Sequence, residues 1–315
     1  MGKLNVPRTL IEAVSYFADQ QVAHDFFVAL RWPNGAGCPN CGNAVVHYMP
    51  KYRRWSCKEC RQQFTAKTGT IFEDSPISFS KWLPAIWLLT ATRNGTSSCE
   101  LARALGVTQK TAWFMLHRIR EALDQNDGFA LEGPVEADET FIGGQVKMMN
   151  KKRKAKYQRT WSGEGKTAVF GMVERSIPGK PKGRARAMVV PFIEKEYLQG
   201  NIRKNVTPGS EVHTDGFPAY RGLKRDYVHE TVDHHAFEYV RGHVHTNSIE
   251  SFFSVFKRTI KGTYIAPRAK HLQRYVQEQV FRFNERENED GPRFVEAAKL
   301  ADGKRLTYKR LTGRR

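Results

Sequence analysis

No stretch of this 315-residue chain stays apolar for the roughly 20 residues that a bilayer-spanning helix needs. Its most apolar run, residues 82–91, is interrupted by Pro84. The opening residues, MGKLNVPRTL, lack the apolar core of a signal peptide, so nothing points to secretion. Cysteine is scarce too: five residues, in a chain without a secretory mark, argue against structural disulfides. Acidic residues are outnumbered, 32 against 51 lysines and arginines, which leaves a net charge of +19 and a pI near 9.8. Wholesale disorder is excluded, since 40% hydrophobic and 26% charged residues is ordinary for a globular chain. The length suggests two or three domains.

The basic surplus exceeds what solubility requires and favours a polyanionic partner. It is unevenly placed. Residues 151–186 carry twelve basic and two acidic side chains, and residues 304–315 add six basic ones and no acid. No amphipathic basic helix with a Trp or Phe face accompanies these runs, which favours nucleic acid over a membrane surface.

Four of the cysteines form two C-x2-C pairs, Cys38–Cys41 and Cys57–Cys60, with fifteen residues between them. Each pair makes a tight knuckle that aims two sulfurs at one metal, and the intervening segment reads as two short strands around Met49-Pro50. Four thiolates leave no open coordination position, so this Zn2+ is expected to be structural. Cys99 stands apart and is expected as a small buried hydrophobe on a helix.

Helices follow. Residues 78–92 and 98–105 form two candidates, the second stopped by Gly106. Thr108 then caps a third over residues 109–123, with Ala112, Met115, Leu116, Ile119 and Leu123 on one face. Helix, Leu-Gly-Val turn, capped helix is the pattern of a helix-turn-helix, whose last helix lies in the major groove. Off the apolar stripe lie Gln109, Lys110, Trp113, His117 and Arg120, the candidate DNA contacts. The competing reading is a small helical bundle without DNA contact; the ribbon and the charge favour DNA.

The second half changes period. Residues 135–141, 167–174, 185–193, 211–214 and 227–232 read as strands. Helices are expected at 194–204, around 217–223, and from about 246 onward. Residues 124–134 look like a linker. The order implies an α/β layer with a mixed five-stranded sheet. Asp138 lies inside the first strand, Asp215 ends the fourth, and Glu250 sits one turn into the last helix. On that helix Ile249, Phe252, Phe253 and Phe256 share a face that must be buried, while Asn247, Glu250 and Lys257 share another. Three oxygen ligands from two strands and a helix suit one or two Mg2+ or Mn2+ ions, which can drive displacement at a phosphodiester. Lys257 could hold a phosphate beside them. Each acid alone has an ordinary explanation in a turn or on a solvated helix, Asp138 least so, because acids are depleted inside strands.

CPNCG, WSCKECRQQFTAKTGTIF, LGVTQKTAWFMLHRIREAL, VEADETFIGG, HTDGFPAY and HTNSIESFFSVFKRTIKGTY together resemble the bacterial insertion-sequence DDE transposases with an N-terminal zinc ribbon, of the ISXO type. The resemblance runs from about Trp32 to Asn284. It implies a multidomain α+β protein: N-terminal helices to residue 31, a zinc ribbon at 32–72, a helix-turn-helix domain at 76–124, a linker at 125–134, a ribonuclease H-like catalytic domain at 135–286, and a basic tail at 287–315. It further implies Asp138, Asp215 and Glu250 as ligands of a catalytic Mg2+ or Mn2+ pair, and Lys257 as a basic DNA contact. In part of the sub-family the third ligand is the asparagine of HTN, here Asn247; its lack of charge favours Glu250 with Asn247 adjacent. The insertion at 147–166, with Lys151, Lys152, Arg153 and Lys154, is expected to grip DNA backbone. Double-stranded DNA, both element ends and target, is the expected partner, with a homo-oligomer on DNA, in the bacterial cytoplasm and at the nucleoid. His213, His234, His235, His243 and His245 crowd these motifs; orienting or phosphate-contacting roles are favoured over a second zinc site. Tyr264 is set aside as a recombinase nucleophile for want of supporting basic residues. Two rivals are a DNA-binding regulator with a catalytically dead domain, which should lack an acid of the triad, and a nuclease that cuts without joining.

Overall fold

The computed structural model describes residues 5–125, 129–143, 166–177, 179, 182–233, 238 and 240–313. Lys151, Lys152, Arg153 and Lys154, and also His234 and His235, lie outside them. The chain divides into two compact units, Met1–Asp124 with Glu285–Arg315, and Gln125–Asn284.

In the first unit, α1 (Leu10–Phe17) and α2 (Gln20–Arg31) are capped by Thr9 and Asp19, whose side chains accept the first free backbone N–H groups. A three-stranded antiparallel sheet follows: β1 (Val46–Met49), β2 (Arg54–Cys57) and β3 (Gln63–Thr65). The third strand is an addition to the two the sequence suggested. Next come α3 (Phe79–Ala91), α4 (Ser98–Leu105) and α5 (Gln109–Ala122). Ser97 and Glu100 make a reciprocal capping box at α4, Gly106 closes that helix at φ +60°, and Thr108 caps α5. Cys99 is exposed on α4, contrary to the expected buried role; Leu101 and Ala102 form that helix's buried stripe.

The second unit is built on a five-stranded mixed sheet. Its strands are β4 (Val135–Ile142), β5 (Thr167–Glu174), β6 (Ala185–Val190), then, after α6 (Lys195–Asn205), β7 (Glu211–Asp215) and β8 (Val228–Val232). The spatial order is β6-β5-β4-β7-β8; β4 pairs antiparallel with β5 and parallel with β7. The helix expected near 217–223 is two 3-10 turns, Pro218–Tyr220 and Leu223–Arg225. A short hairpin, β9 (Val240–Arg241) and β10 (Val244–His245), leads into α7 (Asn247–Thr259), and α8 (Ala269–Asn284) closes the unit. One sheet face packs Leu198 and Ile202 of α6 against Ala137, Phe170 and Met172. The other packs Ile249, Phe252, Phe253 and Phe256 of α7 with Val276 and Val280 of α8 against Val169 and Val173. Each of those large apolar side chains contributes about 1.5–3 kcal/mol when fully buried. This is the mixed five-stranded sheet with packed helices that the strand order implied, and the ribonuclease H-like architecture that the resemblance implied.

Of residues 287–315, expected as a basic tail, the described residues 287–313 are instead folded into the first unit. Helices α9 (Asp290–Lys299) and α10 (Tyr308–Thr312) lie there. Phe294 is fully buried and its ring meets Phe17, Phe26 and Trp87. The carbonyl of Leu306 accepts from Arg118 Nε at 3.1 Å. The basic count concealed a second pattern, in which Phe294, Ala297, Ala298 and Ala301 recur at helical spacing and are buried.

Candidate active site and metal centres

Strands β4 and β7 run parallel with Glu136 opposite His213, and continuing that register by two residues sets Asp138 beside Asp215. A step of two returns to the same face of a strand, so both acids lie on the side that receives α7. Glu250 stands one turn into α7, beside the buried Ile249. Each carboxylate is oriented by its own neighbourhood. Asp138 accepts from the Glu139 backbone N–H at 2.7 Å, Asp215 from that of Phe217 at 3.1 Å, and Glu250 from the Thr246 hydroxyl at 2.8 Å.

The charges around Asp138 act on it. Burial first, then the negative charges of Asp215 and Glu250, push the Asp138 carboxyl up to about 7; the Glu139 N–H and the Lys257 ammonium oppose the rise. Lys257 is exposed on the same helix, two turns beyond Glu250, and Asn247 is exposed at its first turn. A cluster of oxygen donors in which burial and neighbouring negative charge disfavour the ionised form of Asp138 is suited to a hard divalent cation, which would supply the missing positive charge.

What holds α7 in place is a residue the sequence reading passed over. Glu136 is fully buried on β4, and its carboxylate accepts from the backbone N–H of Ser248 at 2.7 Å and of Ile249 at 3.0 Å, and from the Ser248 hydroxyl at 3.0 Å. A strand carboxylate thus caps the N-terminus of the helix, where orphan N–H groups and the helix dipole favour negative charge. Arg175 pairs with the same carboxylate at 2.6 Å and donates to the carbonyls of His243 and His245. Gly171, opposite Asp138 on β5, completes the seating: a Cβ there would lie 2.8 Å from Ile249 Cδ1 and from Phe253 Cζ. Glu139, also unassigned in the sequence, accepts from the Tyr220 hydroxyl, and burial pushes its carboxyl up to about 8, with Asp138 and Asp215 adding to the rise. The signal was available, because VEADE puts three acids into five strand positions.

The four ribbon cysteines meet across the hairpin, Cys38 Sγ with Cys60 Sγ and Cys41 Sγ with Cys57 Sγ, each at 3.6 Å. All four sulfurs lie within 4.8 Å of one another. Tetrahedral Zn2+ with bonds of about 2.3 Å separates its sulfurs by roughly 3.7 Å, so the donors fit zinc, and the sulfurs are too far apart for disulfides.

The helix-turn-helix face requires a correction. Gln109 and Lys110 are exposed and Trp113 is half-buried, whereas His117 and Arg120 are 0% and 1% exposed and belong to the interior. The helix has a wider buried face than its apolar residues announced, and the C-terminal segment of the same unit meets another part of it. The Tyr308 ring packs edge-on against Phe114 and lies under the Lys110 ammonium. Tyr264, set aside as a nucleophile, donates its hydroxyl to the buried Glu278 at 2.5 Å. Among the described residues, no helix is long and apolar enough to cross a membrane.

Comparison with known proteins finds relatives for both halves of the chain. Residues 130–284 match the family of the ISXO2-like transposase domain, and residues 18–63 match the transposase zinc-ribbon domain. The chain is 31% identical, over 262 residues covering 78% of it and 84% of the relative, to an uncharacterized protein in transposable element ISH50 of Halobacterium salinarum. It is 30% identical over 107 residues, 34% of this chain and 85% of the relative, to an uncharacterized transposase-like protein of Haemophilus influenzae.

Proposed function

This chain belongs to the ISXO2-like transposase family, with a transposase zinc ribbon, and on that premise we propose that it binds the ends of an insertion sequence and catalyses metal-dependent cleavage and strand transfer of DNA. The observation that carries the reading is the set of three carboxylates on one sheet face: Asp138 and Asp215 on neighbouring parallel strands, and Glu250 on the helix packed over them. Asp138, Asp215 and Glu250, with Asn247 adjacent, would hold two Mg2+ or Mn2+ ions, which when bound activate the attacking oxygen and stabilise the leaving one. Asp138 must lose its proton to serve as a ligand. Lys257, whose charge is already felt at Asp138, holds a DNA phosphate beside the acids. Glu136 and Arg175 keep α7 seated so that Glu250 faces the strands. Water and then a DNA 3′-OH attack in line, with no covalent protein intermediate.

Gln109, Lys110 and Trp113 at the start of α5 remain the DNA contacts of the helix-turn-helix, with Lys151, Lys152, Arg153 and Lys154 added from the basic insertion. Backbone contacts of this kind weaken steeply with salt. The partner is double-stranded DNA, the working form a homo-oligomer that holds two ends, and the setting the bacterial cytoplasm at the nucleoid. The test is a supercoiled plasmid carrying the gene with its natural flanks, incubated with purified protein and Mg2+ or Mn2+, with product ends mapped by sequencing. Paired breaks at two inverted flanking sites, absent with Asp138→Asn, are expected. Protected flanks without breaks would instead identify a DNA-binding regulator, and random nicks a nuclease.

A further inference from the structure

A second group of metal-ligand atoms converges away from the acid cluster. Glu211 Oε1 lies 2.6 Å from His213 Nε2 and 2.7 Å from His243 Nε2, and the three atoms all fall within 4.8 Å of one another. Glu211 and His213 are two apart on β7 and so share a face, with the His213 side chain fully buried. His243 comes from the other side of the gap. It occupies the two-residue turn between β9 and β10, whose first residue, Gly242, has φ +62°. Arg175 holds the His243 carbonyl, so the backbone that presents this imidazole is itself anchored to Glu136.

We propose that Glu211, His213 and His243 form a second metal site, for a zinc-class divalent ion, that staples the hairpin before α7 to strand β7. Two imidazole nitrogens and one carboxylate oxygen are the donor set of three-ligand zinc sites that keep a fourth position open. As a hydrogen bond alone the His243–Glu211 contact has little to hold it, whereas His213, whose side chain is buried, is fixed in place. The His243 side chain is 74% exposed, and surface pairs of that kind contribute about 0–1 kcal/mol. A single cation would engage all three ligand atoms at once. On β7 Glu211 precedes Asp215 by four residues, roughly 13 Å, and His213 precedes it by two, roughly 7 Å, so the site shares no donor with the triad. Its place in the chain gives it a role, because β7 ends in Asp215 and the stapled hairpin leads directly into the helix of Asn247 and Glu250.

The test counts metal in the full-length protein by equilibrium dialysis against Zn2+, in the Asp138→Asn background so that the acid cluster takes up less of the ion. Two zinc ions per chain are expected, one in the ribbon and one here, falling to one with added His243→Ala or Glu211→Gln. Co2+ substitution gives a second readout: His243→Ala should remove the second cobalt's share of the visible ligand-field absorption while leaving the sulfur-to-cobalt band and the ribbon's own visible bands intact. Because His243 is exposed, its replacement should leave the circular dichroism spectrum unchanged. One zinc per chain in all these proteins, or a second ion that survives His243→Ala, overturns the proposal. No DNA cutting enters the count, so the result stands apart from that of the plasmid assay.

Discussion

Asp138 illustrates how a buried carboxylate suited to bind a cation opposes the fold that carries it. With its carboxyl raised to about 7, the folded chain favours the protonated form, while the unfolded chain ionises near the ordinary value of 3.8. The sign follows: below the unfolded value the acid is neutral in both states and has no effect, and as pH rises past it the folded state loses stability relative to the unfolded one. The loss is complete above about 7. Asp138→Asn should therefore raise Tm at pH 8, with zinc retained and no Mg2+ added, and leave it unchanged near pH 3. The gain is on the order of 1–2 kcal/mol, worth a few degrees for a unit of this size. A thermal melt at the two pH values measures it, and a lower Tm at pH 8 would contradict the burial argument. The sequence made Asp138 legible because an acid in a strand is unusual. Glu136 and Glu139 carried the same mark, but which of three neighbouring acids faces a helix end, a tyrosine or its fellow acids depends on contacts the sequence does not display.

Elements add the distances between such residues. Helix α7 can bring Glu250 near Asp138 because Gly171 leaves no side chain beneath Ile249 and Phe253. Gly171→Ala should force a few tenths of an ångström or more of displacement and cost about 1–3 kcal/mol, as overpacking does. Urea denaturation measures that cost, and the cutting rate should fall beyond what the lost stability explains, because the helix carrying Glu250 has moved. Helix α5 divides differently, its exposed N-terminal residues facing solvent and its C-terminal half serving the interior. Lys110→Ala should weaken binding to all DNA sequences alike and reduce the log–log salt slope by about 1, measured by titration of an element-end duplex at several salt concentrations. The helical periodicity located both elements. It did not reveal that Arg120 is buried, since a charged residue off the apolar stripe is ordinarily solvated.

At the scale of the molecule, the first unit is assembled from both ends of the chain. Phe294 fills a pocket of Phe17, Phe26 and Trp87, and deleting a buried phenylalanine side chain costs about 3–5 kcal/mol. Truncation after residue 284 should therefore abolish the cooperative melting of the unit that carries the ribbon and helices α3 to α5, and with it DNA binding, even though every residue of these elements remains. Binding by the truncated protein at full strength would show that the C-terminal helices are dispensable. The net charge of +19 gave no hint of this, because it counts basic residues without regard to the apolar ones between them.

By itself the sequence determined the local chemistry: the cysteine spacing, the helix caps, the alternation of the strands, and the places of Asp138, Asp215 and Glu250 on two strands and a helix. These are short-range patterns, fixed by backbone geometry within a few residues. The tertiary structure alone decided what meets what. It sets Glu136 under the N-terminus of α7, brings His243 to Glu211, and returns the last thirty residues to the first unit. Such contacts join residues dozens to hundreds of positions apart, and they form because buried charge and exposed apolar surface must each find a partner somewhere along the chain.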